Sequence, residues 1–225
     1  MELSIDTSSN VAGIALSTDG EVVAEQIWYT TQNHSSELIV NIEQLLGQQS
    51  CTMQSCKAIM IATGPGSFNG LRVGISAAKG FALALNIPIV GINTLEIEAY
   101  AFDFSGLPIC PIHNAGREEI AAALYKRNGD WLCIQEPRIT TIDSLCLETG
   151  GPTLFCGEIP ENALQKLQQK LGDRAIIPDA VHRIRRTSYL ATLGWKRFNK
   201  GSYDDPVTLQ PLYLRQPPIT QRKVK

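Results

Sequence analysis

The stretch from Gly64 to Arg72 limits the possible fold of this chain more than any other part of it. It reads Gly-Pro-Gly-Ser-Phe-Asn-Gly-Leu-Arg and lies between an apolar run, 58–62, and a helical pattern that begins near Gly70. Three glycines and a proline within seven residues indicate an unusual backbone where a strand turns into a helix. Such a corner can direct backbone N–H groups and a helix N-terminus at an anion. The stretch therefore predicts a strand–turn–helix unit, with phosphate binding as one candidate role.

Composition indicates a folded protein of one large domain or two small ones. The chain has 225 residues, of which 44% are hydrophobic and 19% charged. A net charge of −2 argues against a nucleic-acid-binding surface that covers the whole protein. The sequence shows neither a secretory leader nor an apolar stretch of about 18 residues, so we expect a cytoplasmic protein with no membrane partner. The spacing of the cysteines and histidines predicts no metal site.

The first half of the chain predicts a three-stranded meander followed by alternating helices and strands. The meander covers 2–30 and turns at Asp19-Gly20, a strong hairpin signal. The helices and strands expected after it are helix 35–47, strand 57–63, helix 70–85, strand 87–92 and a short helix at 94–102.

The second half repeats this order after a boundary near 104–108, which predicts two related α/β halves with mixed sheets. Asn128-Gly129 marks its hairpin. The elements expected in this half are strands at 109–113, 119–126, 131–135 and 153–156, helix 160–171, a short strand at 174–177, and a last helix at 183–199. The predicted domains are 1–104 and 105–225, and the last helix is a candidate to pack back on the first domain.

A polar turn follows the first predicted strand. Asp6-Thr7-Ser8 offers a carboxylate and two hydroxyl groups, which could hold a phosphate or the water shell of Mg²⁺. The same residues also suit a plain turn in which Asp6 and Ser8 accept hydrogen bonds from nearby backbone N–H groups. The plain turn is the commoner outcome, and both interpretations stay open here.

A two-sided phosphate clamp needs a second acidic hairpin from the other half of the chain. Segment 112–119 is in the expected place, but it carries Asn114 instead of an aspartate. A neutral amide cannot replace a carboxylate as a metal-water ligand or a general base. We therefore expect no ATPase activity of the chain itself, and no cofactor beyond weak, vestigial nucleotide binding. The residues of that vestigial site would be Asp6, Thr7, Ser8, Gly64, Gly66, Ser67 and Asn114.

Other catalytic loops fit the glycine-rich stretch poorly. It lacks the Lys-Ser/Thr end of a P-loop and the spacing of a dinucleotide fingerprint. Ser67 is not in a G-x-S-x-G elbow, and His34 lacks a second histidine at position 38, which is Leu38. A tight structural corner that positions the following helix is the favoured interpretation.

Basic residues are concentrated late in the chain. Arg183, Arg185 and Arg186 lie at the start of the last predicted helix, and further lysines and arginines occupy 221–225. The ordinary expectation for them is solvated surface, with a contribution to RNA-backbone binding as the weaker alternative.

Several segments together resemble the TsaB family, also called YeaZ. They are 3–9, 34–38, 64–72, 78–80 with 87–88, and 211–215. The stretch from Gly64 to Arg72 resembles the family signature GPGSFTGLR, with Asn69 in place of threonine, and Asn114 departs from the Asp-Ala-Arg that the family often has there. The resemblance implies the two-lobed, actin-like α/β fold of the sugar kinase, heat-shock chaperone and actin superfamily, with mixed sheets flanked by helices.

The resemblance also implies a role as a non-catalytic scaffold in tRNA threonylcarbamoyladenosine biosynthesis. Such a subunit pairs with and activates TsaD, which transfers the threonylcarbamoyl group to adenosine 37 of tRNA, and the pair recruits the ATPase TsaE. Contact with tRNA would be indirect, through the complex, and the chain alone is a candidate homodimer.

By the same resemblance, the partner contacts lie on the two predicted helices 35–47 and 70–85. The implied interface residues are Ser36, Leu38, Ile39, Ile42, Gly70, Gly74, Ala77, Ala78 and Phe81. An enzyme is the alternative: an ATP- and Mg²⁺-binding phosphotransferase or hydrolase that uses Asp6 and the loop 64–70. A glycoprotease is a poorer third, since the sequence lacks HxxxH.

Overall fold

Each half of the chain forms one five-stranded mixed sheet. The computed structural model describes residues 1–31 and 33–215, so the basic residues at 221–225 lie outside the described part. Within the described residues, no helix combines the length and the apolar character that crossing a membrane would require.

The first sheet has the strand order β3-β2-β1-β4-β5. β1 is antiparallel to β2 and parallel to β4, which in turn is parallel to β5. Its strands are β1 (Glu2–Asp6), β2 (Val11–Thr18), β3 (Glu21–Tyr29), β4 (Ala58–Gly64) and β5 (Ile89–Asn93), and its helices are α1 (His34–Gln48), α2 (Phe68–Leu85) and α3 (Thr94–Tyr100). The turn between β2 and β3 is the predicted one, where Asp19 and Gly20 both have positive φ.

The second sheet repeats this topology with the order β10-β9-β6-β7-β8. β6 is antiparallel to β7 and parallel to β9, as β1 is to β2 and β4. Its strands are β6 (Ile109–Gly116), β7 (Glu119–Asn128), β8 (Asp130–Thr141), β9 (Thr153–Gly157) and β10 (Ala175–Ile176), and the remaining helices are α4 (Ile142–Glu148), α5 (Glu161–Leu171) and α6 (Thr187–Asn199). The predicted fold class, two related mixed sheets flanked by helices, is confirmed.

Helices cover both faces of the first sheet. On one face, α1 and α2 bury a core that includes Leu38, Ile42 and Ala78. On the other face, Leu190 and Leu193 of α6 pack against strand residues such as Met60. The strand β4 is therefore buried on both sides, which explains its near-continuous apolar sequence.

Two helices begin at residues other than those predicted, and one helix was not predicted. α2 begins at Phe68, because the Ser67 side chain caps it by accepting a hydrogen bond from the Gly70 N–H. Residues 183–186 do not begin the last helix, since Arg186 has an extended backbone and α6 starts only at Thr187. Helix α4 was not predicted, although Thr141 caps it through the Ser144 N–H. Its seven residues are too few for a helical period to stand out.

Two glycines of α2 should respond to alanine in opposite ways. A Cβ at Gly70 would overlap the carbonyl oxygen of Thr7, whereas nothing lies within 4 Å of a Cβ at Gly80. We expect Gly70→Ala to lower the free energy of unfolding by about 2 kcal/mol through overpacking. Gly80→Ala should raise it by about 0.5–1 kcal/mol through helix propensity. Urea unfolding of both variants measures the difference, and equal effects would contradict this packing.

Candidate functional site

The turn after β1 and the glycine-rich corner after β4 lie directly against each other. The Thr7 hydroxyl donates to the Gly70 carbonyl oxygen at 2.7 Å, and the Ser67 N–H donates to the Ser8 carbonyl oxygen at 2.6 Å. A Cβ at Gly66 would overlap the same Ser8 oxygen. The glycines are needed because two stretches of backbone meet here, and this supports the interpretation of a structural corner.

Asp6 already has its hydrogen-bond partners within the chain. Its Oδ1 accepts from the Ser8 N–H at 2.9 Å and from the Ser8 hydroxyl at 2.5 Å, as the plain-turn interpretation requires. Its Oδ2 accepts from Arg185 Nε at 2.7 Å, and both side chains are almost fully buried. The carboxylate that could have held the water shell of Mg²⁺ therefore holds a guanidinium.

Arg185 connects residues from both halves of the chain. One terminal nitrogen donates to Glu98 Oε1 at 2.7 Å and lies 3.5 Å from Glu158 Oε1, while the other donates to Ser9 Oγ at 2.9 Å. Burial opposes its charge, but the carboxylates of Asp6, Glu98 and Glu158 raise the pKa of the guanidinium further above its usual value. Arg185 is thus a permanent cation at the centre of the molecule.

The expectation that Arg185 is solvated surface is wrong. Its neighbour Arg186 does behave as expected, because it is exposed and pairs with Glu25. The difference arises because Ile184 and Arg186 have an extended backbone, and successive side chains of an extended segment point in opposite directions.

His113 of β6 joins the same cluster. Its Nε2 lies 2.6 Å from Glu98 Oε2, and the imidazole is buried. Burial by itself would lower the pKa of His113, but the charge and hydrogen bond of the Glu98 carboxylate outweigh burial and raise it above 6.5. Arg185 opposes this rise and Glu158 adds to it.

Asn114 lies apart from the Asp6 cluster. It is exposed, and its Oδ1 accepts from the Gly116 N–H at 2.9 Å. It shares a cavity of about 560 Å³ between the two sheets with Pro65 and Gly66 of the corner. The other residues that line this cavity are Phe68, His113, Ala115, Ala121, Ile139, Leu212, Tyr213, Leu214 and Arg215. These walls are largely apolar, so they suit a Mg²⁺-triphosphate group poorly.

Comparison with known proteins identifies the family. The family model described as "TsaD: tRNA N6-adenosine threonylcarbamoyltransferase" matches residues 21–153. The tRNA threonylcarbamoyladenosine biosynthesis protein TsaB of Bacillus subtilis (strain 168) is 34% identical over 218 residues, which are 95% of this chain and 93% of that protein. The chain belongs to the TsaB family. The resemblance inferred from the sequence segments is confirmed.

Solved structures agree with the fold of a TsaB-family protein. YeaZ from Pseudomonas aeruginosa superimposes with a TM-score of 0.81 at 20% identity, over 95% of this chain and 99% of that one. A ROK hexokinase from Thermus thermophilus gives a TM-score of 0.50 at 9% identity, over 88% of this chain and 99% of the hexokinase chain. At these identities the likeness concerns the fold alone.

Five of the nine interface residues implied for this TsaB-family chain are inside it. Leu38, Ile42 and Ala78 belong to the core of the first sheet, and Gly70 and Gly74 are buried against Thr7. Their side chains pack within the chain itself, so any part they have in a partner interface stays a prediction. A row of apolar residues along one side of a helix indicates that this side is buried. In this chain the first sheet covers that side of both helices.

The other four interface residues are partly or fully accessible. Ser36 and Ile39 of α1 are exposed, and Ala77 and Phe81 of α2 are half-buried against the core. They stay predicted contacts. A side chain at Gly74 would overlap the Thr7 hydroxyl, so substitutions there disturb the fold as well as any interface.

The His113–Glu98 pair should make stability depend on pH in this TsaB-family protein. Because the folded-state pKa of His113 is raised, its contribution is complete below about 6.5 and is lost as pH rises through the folded-state pKa. We therefore expect the free energy of unfolding to fall above pH 6.5. His113→Gln should flatten this fall, because glutamine donates to Glu98 without titrating.

The control is His182→Gln, because His182 is exposed. Urea unfolding between pH 6 and 9 gives the two profiles relative to the unmodified chain. If the free energy of unfolding depended on pH in the same way in all three proteins, the proposed protonation of His113 beside Glu98 would be contradicted.

Proposed function

We propose that this protein is a non-catalytic subunit in the biosynthesis of threonylcarbamoyladenosine in tRNA, acting in the cytoplasm. The role follows from its TsaB family membership and from the name of the Bacillus subtilis relative. The observation that carries the non-catalytic part is the ion pair of Asp6 with Arg185, at 2.7 Å and away from solvent. Together with the two hydrogen bonds from Ser8, it gives both oxygens of Asp6 partners within the chain instead of a metal-bound water.

The enzyme alternative is disfavoured by the same geometry. The two-sided clamp expected of a phosphotransferase or hydrolase has one carboxylate from each half of the chain. The two carboxylates together hold Mg²⁺ and orient a water molecule. Here Asp6 is paired with Arg185, and Asn114 supplies only an amide that faces Gly116. No cofactor is proposed beyond vestigial nucleotide binding in the adjoining cavity.

We therefore expect the purified chain to bind Mg²⁺-ATP with a dissociation constant above about 1 mM and to release no phosphate from it. Isothermal titration and a phosphate-release assay measure the two quantities. Micromolar binding together with turnover by the chain alone would overturn the scaffold role and restore the enzyme alternative.

The partner proposed for this subunit is a TsaD-type transferase. The match of residues 21–153 to the transferase family model means that the two chains share a fold. Related subunits often pair through equivalent surfaces about a two-fold or pseudo-two-fold axis. On α1, Ser36, Ile39 and Val40 are exposed, and their spacing places them on one side of the helix.

This face of α1, with Ala77 and Phe81 of α2 beside it, is the proposed contact surface. A TsaE-type ATPase would join the pair, tRNA would be bound through the complex, and the same face would support a homodimer when the transferase is absent.

Ile39→Glu tests this surface. Ile39 is 40% exposed, so a charge there should leave the fold intact, yet it would be desolvated against a partner helix. We expect affinity for the TsaD-type partner to fall at least tenfold, that is by about 1.4 kcal/mol or more.

The matched control is Leu147→Glu on α4, where the leucine is 89% exposed and belongs to the second half of the chain. Isothermal titration with the purified transferase gives both dissociation constants, and circular dichroism checks the fold. Unchanged affinity for Ile39→Glu, or an equal loss for both variants, would show that α1 is not the interface.

A further inference from the structure

We propose that the cavity between the two sheets binds a small organic anion, that is, an apolar molecule with one acidic group. The cavity has a volume of about 560 Å³. Small-molecule sites in proteins usually have volumes of about 300–1,000 Å³. The glycine-rich corner, strands β6 to β8 and residues 212–215 form the walls of the cavity. The polarity and the charge of these walls define the kind of ligand that fits.

Most of the lining is apolar. The rings of Phe68 and Tyr213 lie with their centroids 5.3 Å apart, and Ile139 and Leu212 extend this apolar surface. Phe68 and Leu212 are each 37% exposed, which leaves apolar area for a ligand to cover. Burial of this area is the main favourable contribution that an apolar ligand would gain.

Hydrogen bonds within the chain hold these walls in position. The Leu212 N–H donates to the Thr63 carbonyl oxygen at 2.8 Å, which ties the segment 212–215 to β4. Arg72 Nε donates to the Tyr213 hydroxyl at 3.2 Å, which ties the same segment to α2. A cavity whose walls are already ordered loses little conformational entropy when a ligand enters.

The ionisable side chains that line the cavity favour an anion over a cation. Among the described residues of the lining none is acidic, whereas His113 and Arg215 are basic. Arg215 is exposed and pairs with Glu119, so His113 is the buried basic group of the two. Such a lining offers no carboxylate to a metal ion, and it suits a ligand with a single negative charge.

His113 has a ring nitrogen available for the acidic group. Its one side-chain hydrogen bond to another described residue joins Nε2 to Glu98 Oε2, so Nε2 carries a proton and Nδ1 is left for a ligand. Burial lowers the pKa of His113, but the Glu98 carboxylate raises it by more, which favours a second proton on Nδ1. The imidazolium would then donate a charge-assisted hydrogen bond to a carboxylate or sulfonate in the cavity.

Two fluorescent probes with the same rings test the proposal on the unmodified chain. Anilinonaphthalene sulfonate carries one negative charge, whereas N-phenyl-naphthylamine is its neutral counterpart without the sulfonate. We expect the anionic probe to bind once per chain with a dissociation constant on the order of tens of micromolar. The neutral probe should bind more weakly. A cavity without a donor for the sulfonate would reverse this order, because the sulfonate would lose its hydration without compensation.

Two variants locate the acidic group and the rings. His113→Gln keeps a donor for Glu98 but cannot carry a charge, so the anionic probe should bind at least about tenfold more weakly. The affinity of this variant for the neutral probe should stay within about twofold of that of the unmodified chain. Phe68→Ala removes part of the apolar wall, so both probes should bind more weakly by similar factors. His182→Gln is the control, because His182 is exposed and lies outside the lining.

Three outcomes overturn the proposal. The first is tighter binding of the neutral probe than of the anionic probe by the unmodified chain, or no binding of either probe. The second is equal affinity of His113→Gln and the unmodified chain for the anionic probe. The third is unchanged binding of both probes by Phe68→Ala.

Circular dichroism checks that each variant is folded. If His113→Gln does not fold, the comparison of the two probes on the unmodified chain and the result for Phe68→Ala decide the question. All measurements use the purified chain alone, so their outcome is independent of the transferase partner proposed above.

Discussion

A guanidinium buried between the two sheets sets requirements that much of the surrounding structure meets. A charged group loses several kcal/mol of hydration when it leaves water, and its N–H groups then need acceptors. The acceptors for Arg185 are the side chains of Asp6, Ser9 and Glu98, with the Glu158 carboxylate at a longer distance. These partners come from β1's turn, α3 and the loop after β9, so their relative positions are fixed together. Breaking the contact with Asp6 or Glu98 would leave a charge without its partner in the interior.

The glycine-rich corner before α2 helps to fix the position of the turn that carries Asp6. The turn that carries Asp6 can approach the start of α2 only because Gly66 and Gly70 have no side chain. Once there, the Thr7 hydroxyl donates to the Gly70 carbonyl oxygen and the Ser8 carbonyl oxygen accepts from the Ser67 N–H. The backbone groups of a loop that could have faced a ligand are thus partly used to hold the turn in place. Close packing, rather than anion binding, accounts for these glycines.

Local patterns predicted much of the fold. The two hairpins followed from Asp-Gly and Asn-Gly pairs, and the helices of the first half from apolar spacing, because both signals act over a few residues. Apolar spacing does not say which surface covers a helix, so Leu38, Ile42 and Ala78 were assigned to a partner although they pack on the chain's own sheet. The spacing of apolar residues alone cannot distinguish a helix face that packs on a partner from one that packs on the chain's own sheet.

The Arg185 cluster could not be predicted in the same way. Arg185 and Asp6 are 179 residues apart, and neither neighbouring sequence marks the contact. The one weak signal was the pair of glutamates among the apolar residues of α3, Glu96 and Glu98, of which Glu98 joins the cluster. A carboxylate on a buried helix needs a cationic or hydrogen-bonding partner. Its partners His113 and Arg185 come from distant segments, and only the tertiary structure brings them together.

The repeated topology explains why a cation is needed at this place at all. Both sheets have a strand–turn–strand unit at the same point in their order, and Arg185 and Glu98 join Asp6 at the end of β1 to His113 of β6. A fold that keeps Asp6 and Glu98 buried there must also keep a positive charge beside them, whether bound or built in. An internal arginine satisfies this requirement permanently, and a bound ion does so only while it is present. The choice of arginine therefore makes the joined arrangement of the halves independent of any ligand, which suits the proposed role as a subunit that offers a fixed surface to a partner.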